Sequence, residues 1–120
     1  MSAVSVHNEG LTLRFSGWEQ LFVRRAIEVV PLAAVSGADV VEGWLYRPLG
    51  VRAGLVVSGL LKVGTWRSPG ITRLVCIRRG EPILRVTVDR RRSGGHFDEL
   101  LIGTPDARSA ADALNTHRVP

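Results

Sequence analysis

The chain has 120 residues, of which 45% are hydrophobic and 22% are charged. This composition excludes an intrinsically disordered chain, and its length supports one hydrophobic core, so residues 1–120 are predicted to form a single domain. No apolar run approaches the roughly 18 residues that a membrane-spanning helix needs. The first residues also lack the basic start and apolar core of a secretion signal, so a cytoplasmic location is expected.

The formal net charge is +5, carried by fifteen arginines and one lysine against eleven acidic residues. A basic excess can mark an anionic partner such as a phospholipid headgroup, a nucleic acid or an acidic protein. Arginine in place of lysine nearly everywhere is also typical of a coding bias. Much of the charge is therefore interpreted as ordinary solvated surface.

The single cysteine, Cys76, excludes an intramolecular disulfide and a cysteine-based zinc site. Because it lies in an apolar run, it is predicted to be a small core side chain rather than a nucleophile. The three histidines, His7, His96 and His117, are far apart and do not have the spacing of a metal site. No cofactor is expected.

Short runs that alternate apolar and polar residues predict a series of β-strands. The first two form a hairpin around Asn8-Glu9-Gly10, and a later strand ends at Pro31, which cannot donate to a central ladder. The remaining predictions are a short helix at about 17–23, strands at 26–30, 38–42, 60–66, 72–77, 82–88 and 97–102, and a long irregular loop at 43–59. The turn at 78–81 is predicted to join 72–77 and 82–88 as a hairpin.

A C-terminal helix is predicted at about 105–116. Thr104 can cap its first turn, and Pro105 suits the first helical position because no N–H is needed there. Small and apolar residues recur with helical spacing and form one narrow stripe, namely Ala107, Ala110, Ala111 and Leu114. Such a stripe lets a helix lie close against whatever it covers.

These elements predict a mainly β (α+β) fold with seven to eight short strands and one C-terminal helix. Because no helices alternate with the strands, the sheet is predicted to be antiparallel. Two architectures remain open: a sandwich with an appended helix, and a small bent barrel closed by the helix. The narrow stripe favours the barrel.

The order of elements resembles the pleckstrin-homology-like (PH-like) fold, a bent antiparallel barrel closed by one C-terminal helix. More narrowly, the chain resembles small bacterial PH-like proteins of uncharacterised function. The residues that carry the resemblance span most of the chain, at 30–35, 50–53, 62–67, 97–102 and 105–106. It implies a non-catalytic module for protein interaction that binds an unknown protein or self-associates, through an exposed strand edge or the loop at 43–59.

Relatives of this fold that bind phosphoinositides use basic residues in the first hairpin. The first turn here, Asn8-Glu9-Gly10, contains no lysine or arginine. If the first strand is an additional one, the equivalent hairpin is instead at 18–25, where Arg24 and Arg25 lie. Binding of anionic lipid at the membrane periphery is therefore the alternative function.

The strongest candidate for anion contact is the loop that begins Arg90-Arg91-Arg92. Three guanidinium groups beside Ser93-Gly94-Gly95 can bind a phosphate-bearing ligand, whereas the ordinary interpretation is a solvated loop that protects a sheet edge. Few aromatic residues lie among the arginines, so no nucleic acid is expected as a partner. A third hypothesis, a ligand-binding or hydrolytic barrel, uses His96 and Asp98. It is the minority interpretation, since no nucleophile is marked beside them.

Overall fold

The computed structural model of the chain describes residues 3–7, 10–15, 27–41, 51–57, 61–78, 80–89 and 97–117. Within these ranges the fold is mainly β and ends in one α-helix, as the sequence predicts. The strands and helix are β1 (Ala3–His7), β2 (Gly10–Arg14), β3 (Ile27–Pro31), β4 (Val35–Val41), β5 (Val51–Val57), β6 (Leu61–Ser68), β7 (Ile71–Arg78), β8 (Ile83–Val88), β9 (Glu99–Gly103) and α1 (Ala107–His117). The short helix predicted at 17–23 lies outside the described residues.

Strands β1, β2 and β3 form a three-stranded antiparallel sheet in that order, here called the small sheet. The predicted N-terminal hairpin is confirmed, with Ala3 opposite Arg14 and His7 opposite Gly10. Leu11, Leu13 and Val30 point to one face and are buried, because alternate residues of a strand share a face. This buried face is the inner face of the small sheet.

The other six strands form the large sheet, in the order β4-β8-β9-β7-β6-β5. Here the predicted hairpin between β7 and β8 is wrong, because β9 lies between these strands, antiparallel to β8 and parallel to β7. The residues of β7 and β9 explain this position. Both strands contain unbroken apolar runs, 74–77 and 100–102, which are typical of strands buried on both faces.

The predicted bent antiparallel barrel is therefore replaced by two separate sheets, and the described strands do not close into a barrel. The division falls at Pro31, which ends β3 with φ −60° and ψ 142°. A single 3-10 turn, Leu32–Ala34, then leads directly into β4, an edge strand of the large sheet. Nine strands lie in the described ranges instead of the predicted seven to eight.

The predicted irregular loop at 43–59 is wrong for 51–57, which form β5. This strand pairs with β6 over its whole length, and Gly54 lies opposite Gly64. Glycine is rare inside strands, so its presence reads as a loop signal in the sequence. Residues 42–50 and 58–60 lie outside the described residues.

The helix α1 joins the two sheets. Its stripe of Ala107, Ala110, Ala111 and Leu114 is buried as predicted and belongs to one cluster with inner-face residues of both sheets. The helix packs against β4 and β8 of the large sheet and β1 of the small sheet, rather than closing a barrel. Thr104 caps it, since the backbone N–H of Asp106 donates to its hydroxyl oxygen at 3.2 Å.

Candidate interaction surface

The arginines that the sequence predicts as an anion site lie outside the described residues. These are Arg24, Arg25, Arg90, Arg91 and Arg92, and His96 lies outside as well. Their role in binding an anion stays a prediction.

Asp98, the other member of the predicted His96–Asp98 pair, is described and lies at the start of β9. One carboxylate oxygen accepts a hydrogen bond from the backbone N–H of Thr72 at 2.8 Å. The backbone N–H of Asp98 in turn donates to the carbonyl oxygen of Thr72 at 2.8 Å. These two bonds join the start of β9 to β7, so the carboxylate helps to fix the parallel pair.

Two arginines on the outer face of the large sheet are paired with carboxylates. Arg73 donates from Nε to Glu99 at 3.0 Å and from Nη1 to Ser68 at 2.9 Å. Arg85 forms a two-pronged ion pair with Asp39, at 2.9 and 2.5 Å. The pKa of Arg85 is raised, chiefly by its hydrogen bond to Asp39 and further by the charges of Asp39 and Glu99. These pairs link neighbouring strands of the large sheet and satisfy cations that would otherwise attract an anion.

The surface that stands out is formed by β3 and the adjoining part of β2 on the outer face of the small sheet, together with the edge of β3 that faces away from β2, here called the β3 surface. It consists of Thr12, Arg14, Ile27 and Val29, and Ser5 on β1 lies beyond it on the same face. Val29 lies opposite Thr12, and Ile27 lies opposite Arg14. Ser5 lies opposite Thr12 from the other side. All five therefore share the face away from Leu11, Leu13 and Val30.

The β3 surface exposes apolar side chains that a folded domain normally covers. Three large apolar residues are exposed among the residues described, and two of them, Ile27 at 47% and Val29 at 56%, are neighbours on β3. Within the described ranges β3 pairs with β2 alone, which makes it an edge strand. The exposed Arg14 beside Ile27 gives this apolar patch one positive corner.

The sequence pattern predicts strand β3 correctly, but it does not predict that Ile27 and Val29 are exposed. The run Ile27-Glu28-Val29-Val30 is β-branched on both faces, so its composition does not say which side is buried. The register with β2 decides it, because Val30 faces Leu11 and is buried while Val29 faces Thr12. The polar residues Thr12 and Arg14, which alternate with Leu11 and Leu13, were the only sequence signal for the solvent side.

Among the described residues, no group of three or more histidine, cysteine, aspartate or glutamate side chains is placed to hold a metal ion. In the same ranges, no helix is both long enough and apolar enough to cross a lipid bilayer.

Comparison with known proteins finds no matching family model, no similar curated protein and no similar solved structure. The PH-like resemblance therefore stays a prediction from the sequence.

Proposed function

We propose that this chain is a non-catalytic protein-interaction module that binds through the β3 surface. The observation that carries the proposal is the pair of exposed β-branched side chains, Ile27 and Val29, on an edge strand. An edge strand presents backbone N–H and C=O groups to which a further extended segment can add, while alternate side chains provide specificity. The resemblance to the PH-like fold, which is carried by packing and turn residues, is consistent with a role in protein interaction.

Binding by strand addition makes a specific demand on the partner. An added strand would place alternate side chains beside Ile27 and Val29, and the others toward the inner face. Apolar residues at alternate positions would cover the two exposed side chains. An acidic residue near Arg14 would complement its charge.

The proposal is tested by selecting peptides from a displayed random library on the immobilised protein. The selected peptides are then measured against two variants with the same change of charge. Val29→Lys places an ammonium group on the edge strand, whereas Ser5→Lys places one on β1, two strands away on the same face. We expect Val29→Lys to weaken binding at least tenfold and Ser5→Lys to leave it within about twofold. Peptides that bind Val29→Lys as tightly as the wild type would contradict the proposal.

A further inference from the structure

The edge strand β4 of the large sheet is covered by the C-terminal helix, whereas the edge strand β3 of the small sheet carries exposed apolar side chains. At β4, an edge strand of the large sheet, α1 packs alongside and the side-chain amide of Asn115 donates to the backbone carbonyl of Ala38 at 2.8 Å. Strand β3 exposes Ile27 and Val29, and β2 is its one strand partner in the described ranges. An uncovered edge of this kind is normally avoided in a protein that stays monomeric.

We propose that the occupant of the β3 edge is the β3 strand of a second copy of this chain, paired antiparallel about a two-fold axis at Val29. This inference deepens the proposed function, on which it rests, by naming the partner. The two small sheets would join into one six-stranded sheet, in the order β1-β2-β3-β3-β2-β1. Such an interface is isologous, because each copy offers the same strand.

The sequence of β3 is self-complementary in this register. On the outer face, Val29 meets Val29 of the second copy, and Ile27 meets Pro31. A central row of six apolar residues results, three from each copy. The same register pairs position 28 with Val30, so no two acidic positions lie opposite each other.

Neighbouring registers are less favourable. A two-fold axis at Glu28 would pair this acidic position with itself, and like charges in register destabilise a strand pair. An axis at Val30 would place Ile27 opposite residue 33 of the second copy, which lies in the 3-10 turn beyond the end of β3. The register about Val29 alone pairs all five residues of the strand, and it leaves Pro31, which has no N–H to donate, at the ends of the paired segment.

The positive charges of the surface also permit this pairing. Arg14 lies on β2 in the row of Ile27, and Arg14 of the second copy lies three strands across and four residues along. With strands about 4.8 Å apart and residues about 3.4 Å apart, the two guanidinium groups are separated by about 20 Å. Because the Debye length is about 10 Å at 0.1 M salt, their repulsion is largely screened.

The size of the interface sets the expected strength. One pair of five-residue strands buries less than the roughly 1,200 Å² of a standard stable interface. We therefore expect a weak, reversible dimer with a dissociation constant on the order of 100 µM. Pairing by this surface would be detected at high protein concentration or where the chain is held at high local concentration.

The experiment measures mass by sedimentation equilibrium from about 10 µM to about 1 mM, a range that brackets this constant. The wild type and Ser5→Lys should shift from monomer toward dimer, whereas Val29→Lys should stay monomeric, because two ammonium groups would meet at the axis. A wild type that stays monomeric at the highest concentration would overturn the inference. So would a Val29→Lys variant that associates like the wild type.

A cross-linking test keeps the inference falsifiable if Val29→Lys fails to fold. Only a residue on the two-fold axis meets its own copy, so Val29→Cys should form an intermolecular disulfide when oxidised glutathione accepts the electrons and protons of the two thiols. Ser5→Cys should not, nor should the wild type, whose single cysteine is buried. Equal cross-linking of the two variants would reject the proposed axis.

The two proposals can fail separately. If selected peptides bind through Val29 but the wild type neither sediments as a dimer nor cross-links, the interaction module stands and the second copy is rejected as its partner. If neither peptides nor a second copy depend on Val29, both proposals fall.

Discussion

The outer faces of the two sheets both carry apolar residues but differ in how far these are exposed. On the large sheet, Trp66 is 5% exposed, and the neighbouring Val75 and Leu101 are fully buried. On the small sheet, Ile27 and Val29 are half exposed. A buried apolar face contributes to folding, whereas an exposed one contributes nothing until a partner covers it. The large sheet therefore buries the apolar residues of its outer face within the fold, whereas the small sheet keeps apolar surface that a partner can cover.

The largest effect on stability is expected for a substitution in α1, the helix that packs against both sheets. Leu114 is fully buried among inner-face residues of both sheets. Leu114→Asp would bury a carboxylate there without a partner and should lower the free energy of unfolding by about 3–5 kcal/mol, enough to unfold both sheets together. Thermal or urea unfolding followed by circular dichroism measures this change.

The matched control for that prediction is Thr116→Asp. It introduces the same carboxylate at an exposed position two residues further along the helix. A charge in the last turn should cost less than about 1 kcal/mol. If Leu114→Asp and this control have the same free energy of unfolding, the helix does not hold the two sheets together through a shared core.

A smaller effect, confined to the small sheet, is expected at Gly10. Its φ is +146°, which L side chains rarely adopt, and an added Cβ would overlap the carbonyl oxygen of Val30 in β3. Gly10→Ala should therefore cost about 2–4 kcal/mol, because the backbones of β2 and β3 must move apart. Hydrogen exchange should show protection lost first in β2 and β3 and retained in β7 and β9.

Gly70→Ala serves as the control for Gly10→Ala. Gly70 also has a positive φ, +77°, but an added Cβ would meet no atom within 4 Å. It should cost about 1 kcal/mol, the price of the left-handed backbone alone. Equal costs at the two positions would show that β2 and β3 are not closely packed at this point.

The contrast between the sheets also shows what could be predicted from the sequence. Alternation identified the N-terminal hairpin, and the residues Thr104 to Leu114 identified the helix and its buried stripe. These features are local, since caps and periodicity depend on neighbours within a few residues.

What could not be predicted depends on distant pairing. The position of β9 between β7 and β8 joins residues as far apart as Arg73 and Glu99, which are separated by 26 positions, and no local pattern specifies it. Likewise, the solvent-facing side of Val29 follows only from its register with Thr12. The candidate arginines were recognised by charge alone, which does not indicate where they lie in the fold.

The smallest effect concerns Lys62, which tests how far burial removes water from the outer face of the large sheet. It lies on β6 opposite Ile77, whose side chain is buried, and burial lowers the pKa of the Lys62 ammonium group below its ordinary value of 10.5. A heteronuclear NMR titration of its side chain measures this pKa in the folded protein. A value at or above 10.5 would show that this face is hydrated like the β3 surface.

The lowered pKa of Lys62 determines whether the free energy of unfolding rises or falls with pH. Below the folded pKa, Lys62 is charged in both states, and its desolvation penalty lowers the stability of the fold. Between the lowered folded pKa and the unfolded one, the unfolded state binds more protons, so the free energy of unfolding rises with pH from this group. Lys62→Met removes the titrating group, so the difference in stability between the variant and the wild type should shrink as pH rises through the folded pKa. Urea unfolding at a series of pH values between about 8 and 11 measures this difference, and a difference that stays constant would show that folding does not lower the pKa of Lys62.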